Sequence, residues 1–209
     1  MTEQSAFHTT KIRSVQYAST ATRSRIRAIA YWASTFAIVS ELVSGSVWNL
    51  LTIEWINIQL HHLGYPHFFA YILGAWQAGA AIAISAPGFP LIKEWAYAGA
   101  FLLWSGAVVS HLAVGDGVES WLMPLVFVIF SIASWMLRPA DRRLRQLKLR
   151  SSSSSGSHLR EWTVSIGILV VLYIISFLTL PTVEHFMHKN AVELGWIWRE
   201  VIGIRVPLI

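Results

Sequence analysis

Five stretches of the chain are apolar for long enough to suggest membrane helices: residues 30–53, 68–85, 95–114, 121–137 and 162–180. A transmembrane helix needs roughly 17–25 mainly apolar residues, so each stretch predicts a span, the fourth at the short end. Between the second and third lies Ala86-Pro87-Gly88-Phe89-Pro90, then Lys93-Glu94 and the aromatic pair Trp95 and Tyr97. Two prolines and a glycine break a helix. Charge beside aromatic rings predicts a turn in water, followed by re-entry through the interfacial aromatic belt. Residues 54–67 read as a polar connector with His61, His62 and His67, and 115–119 as a short acidic turn. Pro181 is expected to end the fifth span. Residues 1–27 read as a disordered or surface-lying arm, and 182–209 mixes apolar residues with charge in the manner of an interfacial helix.

The elements predict an all-α membrane protein. A four-helix transmembrane bundle occupies 30–139, preceded by a basic cytoplasmic arm at 1–29 and followed by a basic, Ser-rich cytoplasmic linker at 140–161. An additional fifth transmembrane helix follows at 162–181, then an outer-side amphipathic tail at 182–209. Composition agrees: 55% of residues are hydrophobic and 13% charged, with 11 tryptophans, unlike a soluble domain. The net charge of +5 sits at the ends of apolar runs, which points to topology and anionic lipid and away from nucleic acid. No cysteine is present, so the chain itself performs no dithiol chemistry and builds no Cys-ligated metal site. The polar, basic start lacks a cleavable signal pattern, and the first span is expected to serve as the uncleaved insertion signal. Five basic residues precede the first span (Lys11, Arg13, Arg23, Arg25, Arg27) and seven lie between the fourth and fifth (Arg138, Arg142, Arg143, Arg145, Lys148, Arg150, Arg160). That bias places the amino terminus in the cytoplasm and segments 54–67 and 115–120 outside.

Glu41 is the candidate chemical group within the first span. A charge at that depth costs roughly 2.5–3.5 kcal/mol on insertion scales and normally faces the bundle interior with a partner. Ser34, Ala37, Glu41, Ser44, Gly45 and Trp48 share one helical face, and Gln77 of the second span lies at similar depth, predicting a Glu41–Gln77 hydrogen bond. Two readings stand side by side: a structural acid joining two helices, or a group that handles a proton or ligand. His111, at the outer end of the third span with Asp116 just beyond and Trp48 at comparable depth, can bond a carbonyl, relay protons or cap a helix. His185 and His188 have i, i+3 spacing, but there is no HExxH pattern and no obvious fourth ligand, so no metal is expected. Small residues in the second span, among them Gly74, Ala75, Ala78 and Gly79, predict close helix packing. No phosphate loop, nucleotide fingerprint or Ser-His-Asp order appears.

Tyr31-Trp32, Glu41, Gly45, Trp48, His62-Leu63-Gly64-Tyr65-Pro66, Ile72-Leu73-Gly74-Ala75-Trp76, Ala86-Pro87-Gly88-Phe89-Pro90, Lys93-Glu94-Trp95-Ala96-Tyr97-Ala98-Gly99 and Ser110-His111-Leu112-Ala113-Val114-Gly115-Asp116 together resemble the DoxX-like family of small bacterial integral membrane proteins. The resemblance covers about residues 31–139. It implies a four-helix transmembrane bundle in the inner membrane and, from the broader group, membrane redox work that includes small subunits of thiosulfate:quinone oxidoreductases and complexes with soluble oxidoreductases. Gln77 stands where many members carry lysine, which removes an ion pair with Glu41. The resulting expectation is a membrane subunit of a quinone-linked redox system, with Glu41 and His111 as the catalytic groups and Trp48, Gln77 and Asp116 as ligand contacts. Electrons would then pass through a bound quinone or a partner's cofactor, and the bilayer, a soluble oxidoreductase and a second copy of the chain are the expected partners. The alternatives are a small-molecule or proton-coupled transporter and a non-catalytic anchor or assembly factor for a soluble partner.

Overall fold

The computed structural model describes the backbone of residues 2–139 and 155–196 and the side chains of 22–139 and 159–196. The described residues form six helices and no strand: α1 (Thr2–Leu50), α2 (Glu54–His62), α3 (Phe69–Ser85), α4 (Pro90–Ala113), α5 (Val118–Leu137) and α6 (Ser155–Glu193). Four are long and apolar enough to cross a membrane, over Thr22–Leu50, Pro90–Ala113, Val118–Leu137 and Leu159–Glu193. The second expected span, α3, is apolar but has only 17 residues. At 1.5 Å per residue it reaches about 25 Å, short of a hydrocarbon core about 30 Å thick.

α1 is the central post, packing against α3, α5 and α6. Ile38, Leu42 and Val43 on α1 meet Ala81 and Ile84 on α3, Tyr97, Ala100 and Trp104 on α4, and Val128 on α5 in one buried cluster. A second cluster, Ile53, Trp55, Ile56, Leu60, Ala70 and Ala191, sits at the α2 end of the bundle. Small residues allow the close approach of α1 and α3: a Cβ on Gly45 would stand 2.6 Å from Gln77 Nε2, and one on Gly74 would stand 2.7 Å from Leu50 Cγ. Away from these seams Phe36, Leu102, Ile129 and Ile174 remain exposed, as lipid-facing positions of a membrane bundle do.

Four sequence expectations change. The arm expected at 1–27 is helical from Thr2 and continuous with the first span, because no glycine or proline occurs before Gly45 to interrupt the ladder. The polar connector contains a helix, α2, whose Trp55, Ile56 and Leu60 are buried. Pro181 does not end the fifth span and lies inside α6. An apolar helix tolerates proline where neighbouring groups satisfy the freed carbonyl. Lys93 and Glu94 do not turn freely in water: Lys93 is 2% exposed, and its Nζ donates to the carbonyls of Ala83 at 3.0 Å and Ile84 at 2.6 Å. A cation on the last carbonyls of α3 complements that helix's dipole. Glu94 accepts from Arg138 Nη2 at 2.6 Å and from Trp135 Nε1 at 2.6 Å, pinning α4 to the end of α5. The expected linker at 140–161 lies outside the described residues as far as 154, and the tail lies outside them from 197.

Candidate functional site

Three helices end with the same local device, and all three ends contribute to one cluster. α4 closes with Gly115 at φ +81°, Gly115 N–H donating to Leu112 O and Asp116 N–H to His111 O. This is a Schellman motif, which needs a left-handed residue after the helix and suits glycine. It carries the residue after glycine back over the last turn, so Asp116 Oδ2 lies 2.7 Å from His111 Nδ1. α2 closes likewise through Gly64, with Tyr65 N–H donating to Leu60 O. Tyr65 then meets Ser110 through its hydroxyl at 2.8 Å. α6 closes through Gly195, with Trp196 N–H donating to Ala191 O, and delivers an indole to the same place.

The cluster is a carboxylate between two imidazoles under an aromatic plate. His62 Nε2 lies 2.8 Å from Asp116 Oδ1, opposite His111. Exposure falls along the row, from 25% at His62 to 10% at Asp116 and 1% at His111. Gln59 Nε2 stands 3.5 Å from His111 Nε2. That arrangement suits Nδ1–H of His111 donating to the carboxylate while Nε2 accepts. Trp196 stacks on His62 at 4.8 Å, Trp55 at 5.2 Å and His111 at 5.5 Å between ring centroids. Partial burial pushes the Asp116 carboxyl up, but hydrogen bonds from His111 and His62, with their charge, outweigh it and hold the group below its usual value.

Two openings adjoin the cluster. A cavity of about 290 Å³ is lined by Glu41, Trp48, Asn49, Gln77, Glu119 and Trp196, among others. A larger cleft of about 700 Å³ between α3 and α4 is lined by small and apolar residues such as Ala75, Gly79, Ala80, Gly99 and Gly106, with His111 and Ser110 also on its wall. Gln59 and Gln77 line both. Glu41, Trp48 and Gln77 therefore share the cavity, His111 faces the cleft, and Asp116 lines neither but holds His111 from behind.

The expected Glu41–Gln77 bond is not formed. Gln77 Oε1 accepts from Asn49 Nδ2 at 3.1 Å, and that amide also donates to Gly45 O. Gly45, lacking a side chain, lets the Gln77 amide lie against α1, and Asn49, one turn beyond, reaches it before Glu41 does. The buried Trp48 indole N–H also has no hydrogen-bond partner among the described residues. His185 is exposed, while Glu184 accepts from the Glu54 N–H at 3.1 Å and His188 lies 3.6 Å from Glu54, so both tie α6 to α2. Among the described residues no three His, Asp or Glu side chains are placed to hold a metal ion.

Residues 33–134 match the DoxX-like family. The match covers just under half of the chain. With four helices able to cross a membrane, it makes the protein a multi-pass membrane protein. No curated protein and no solved structure matches the chain. The DoxX-like segment runs from within α1 to within α5 and supplies Glu41, Trp48, His62, Gln77, His111 and Asp116. Trp196 lies outside it, as do Met187 and Asn190 of α6 and Leu194 just beyond that helix, which also line the cavity. The extra helix thus closes the site of the DoxX-like bundle. His62 and Trp196 were missed as site residues because nothing local marks them; the glycine after each helix was the available signal.

Proposed function

We propose that the protein is the membrane subunit of a quinone-linked redox system in a bacterial inner membrane. It would be a four-helix DoxX-like bundle with a fifth span, its amino terminus cytoplasmic and its α2 end outward. One observation carries the reading. The Trp48 indole N–H, buried without a hydrogen-bond partner among the described residues, and the Glu41 carboxyl line one cavity beside a long apolar cleft that is polar at one end. Buried polar groups normally find partners, so an unpaired donor beside a carboxyl at one cavity suits a ligand carrying oxygen atoms. An apolar cleft floored by small residues suits its hydrocarbon tail. Bound quinone would supply two-electron, two-proton chemistry, with the electrons exchanged through a soluble oxidoreductase. On the protein's side, Trp48 and Gln77 would hold carbonyl oxygens, Glu41 would take or give a proton, and His111 would do so from the cleft wall with its ring fixed by Asp116.

A ligand that binds only the folded state stabilises it by RT ln(1 + [L]/Kd), about 2.7 kcal/mol at a hundredfold excess over Kd. Purified protein in mild detergent should therefore release quinone on solvent extraction. Adding a short-chain benzoquinone should raise its melting temperature, and Glu41→Gln and Trp48→Phe should shrink that rise. An empty extract together with an unmoved melting temperature would end the proposal. The Glu41 carboxyl on the cavity wall also favours a second reading, a proton-coupled transporter. Proton-driven uptake into vesicles that needs Glu41 and persists without quinone would identify it.

A further inference from the structure

We propose that His62, Asp116 and His111 form a proton relay joining the ligand cleft to the water at the α2 end of the molecule, with Trp196 as its cover. The inference deepens the reading above and rests on it only for what the proton is used for. Three facts support it. The contacts are continuous, 2.7 Å from His111 to Asp116 and 2.8 Å from Asp116 to His62. The row has one buried and one wet end, since His111 is 1% exposed and lines the cleft whereas His62 is 25% exposed. One indole lies flat against both imidazoles, so water is kept off the rings on that face and the carboxylate is the link between them.

The transfer moves one proton outward and switches both imidazoles from the Nδ1–H to the Nε2–H tautomer, which the inward transfer reverses. A proton from a cleft-bound hydroxyl enters His111 at Nε2, and the Nδ1 proton passes to Asp116. The carboxyl then gives its proton to Nε2 of His62 in the Nδ1–H tautomer, which partial exposure to water lets that ring reach. His62 Nδ1–H is released to solvent. Protons enter by the reverse order. Other titratable groups near the row are Glu119 and Glu41 on the adjoining cavity wall and the Glu54–His188 pair at the same end. None of them bridges the two imidazoles.

The test is proton exchange at His111, followed by NMR on ring-¹⁵N histidine-labelled full-length protein in lipid nanodiscs without added quinone. His62→Gln keeps a donor for Asp116 and removes the outlet, and should slow exchange at His111 at least tenfold with an unchanged melting temperature. Asp116→Asn should slow it to a similar degree. Unchanged or faster exchange in His62→Gln would overturn the relay. If either variant fails to fold, Trp196→Phe, which retains a ring, provides the check. It should thin the cover and speed exchange in the wild-type background but not in combination with the remaining foldable variant. Equal acceleration in both backgrounds would mean that solvent reaches His111 directly and would also overturn the relay. Quinone is then added to wild type as a separate measurement. A failed relay with a quinone-shifted His111 signal, or the reverse, distinguishes the two proposals.

Discussion

Replacing Asp116 by Asn keeps the shape of the carboxylate and removes its charge, so the effect isolates what that charge does for the two imidazoles. A hydrogen bond to a charged group contributes about 1.5–3 kcal/mol and a neutral one about 1 kcal/mol. The bond to His111, at 2.7 Å with that ring 1% exposed, should lose about 1–2 kcal/mol on this scale. The bond to His62 counts for less, about 0.5 kcal/mol, because that ring is 25% exposed and solvent screens it. The sum is about 2 kcal/mol at neutral pH. Asp116→Ala should cost about 1–3 kcal/mol more, since it leaves a buried N–H unpaired. The folded-state pKa of Asp116 lies below its ordinary value of 3.8. Its contribution is therefore fully present above that ordinary value and disappears as pH falls through the lower folded-state value. SDS-driven unfolding in mixed micelles, followed by helical circular dichroism between pH 7 and pH 3, measures both effects. A wild-type to Asp116→Asn gap under about 0.5 kcal/mol at pH 7, or one that fails to narrow toward pH 3, would refute the assignment.

Gly45→Val should push the Gln77 amide off α1, where a Cβ has only 2.6 Å, and cost about 1–3 kcal/mol of overpacking in the same unfolding assay. Pairing it with Gln77→Ala should recover most of that loss. Arg138→Met should cost about 3 kcal/mol, because it strips a 2.6 Å ion pair whose arginine is 3% exposed and leaves Glu94 and the Trp135 end of α5 uncompensated. A loss under about 1 kcal/mol would place that pair among ordinary surface pairs. Glu41→Gln should leave unfolding stability within about 1 kcal/mol of wild type, since no hydrogen bond is lost, while weakening the quinone-dependent melting shift. A large stability loss would instead return Glu41 to the role of a structural acid.

Much of the architecture was legible without coordinates. Runs of apolar residues near membrane length can only be helices in lipid, because each backbone group must be satisfied within its own segment. The breaks at Pro87 and Pro90 and at Gly115 likewise had to be turns. The contact of His111 with Asp116 could be anticipated because it is local, spanning one helix end and a glycine. The arm and the connector were misread because polar residues were taken as a sign of irregular chain, whereas a long run free of glycine and proline stays helical and α2 buries one face. Only the tertiary structure decided which polar groups pair. Glu41 and Gln77 share depth and face, yet packing through Gly45 gave Gln77 to Asn49 and left Glu41 on a cavity wall. Likewise, His62 and Trp196, separated in the chain by 134 residues, meet only because α6 runs the length of the bundle and turns back at Gly195. Sequence determined the helices through local hydrogen bonding and hydrophobicity. The site depended on which helix ends converge, and that is set by side-chain packing across elements far apart in the chain.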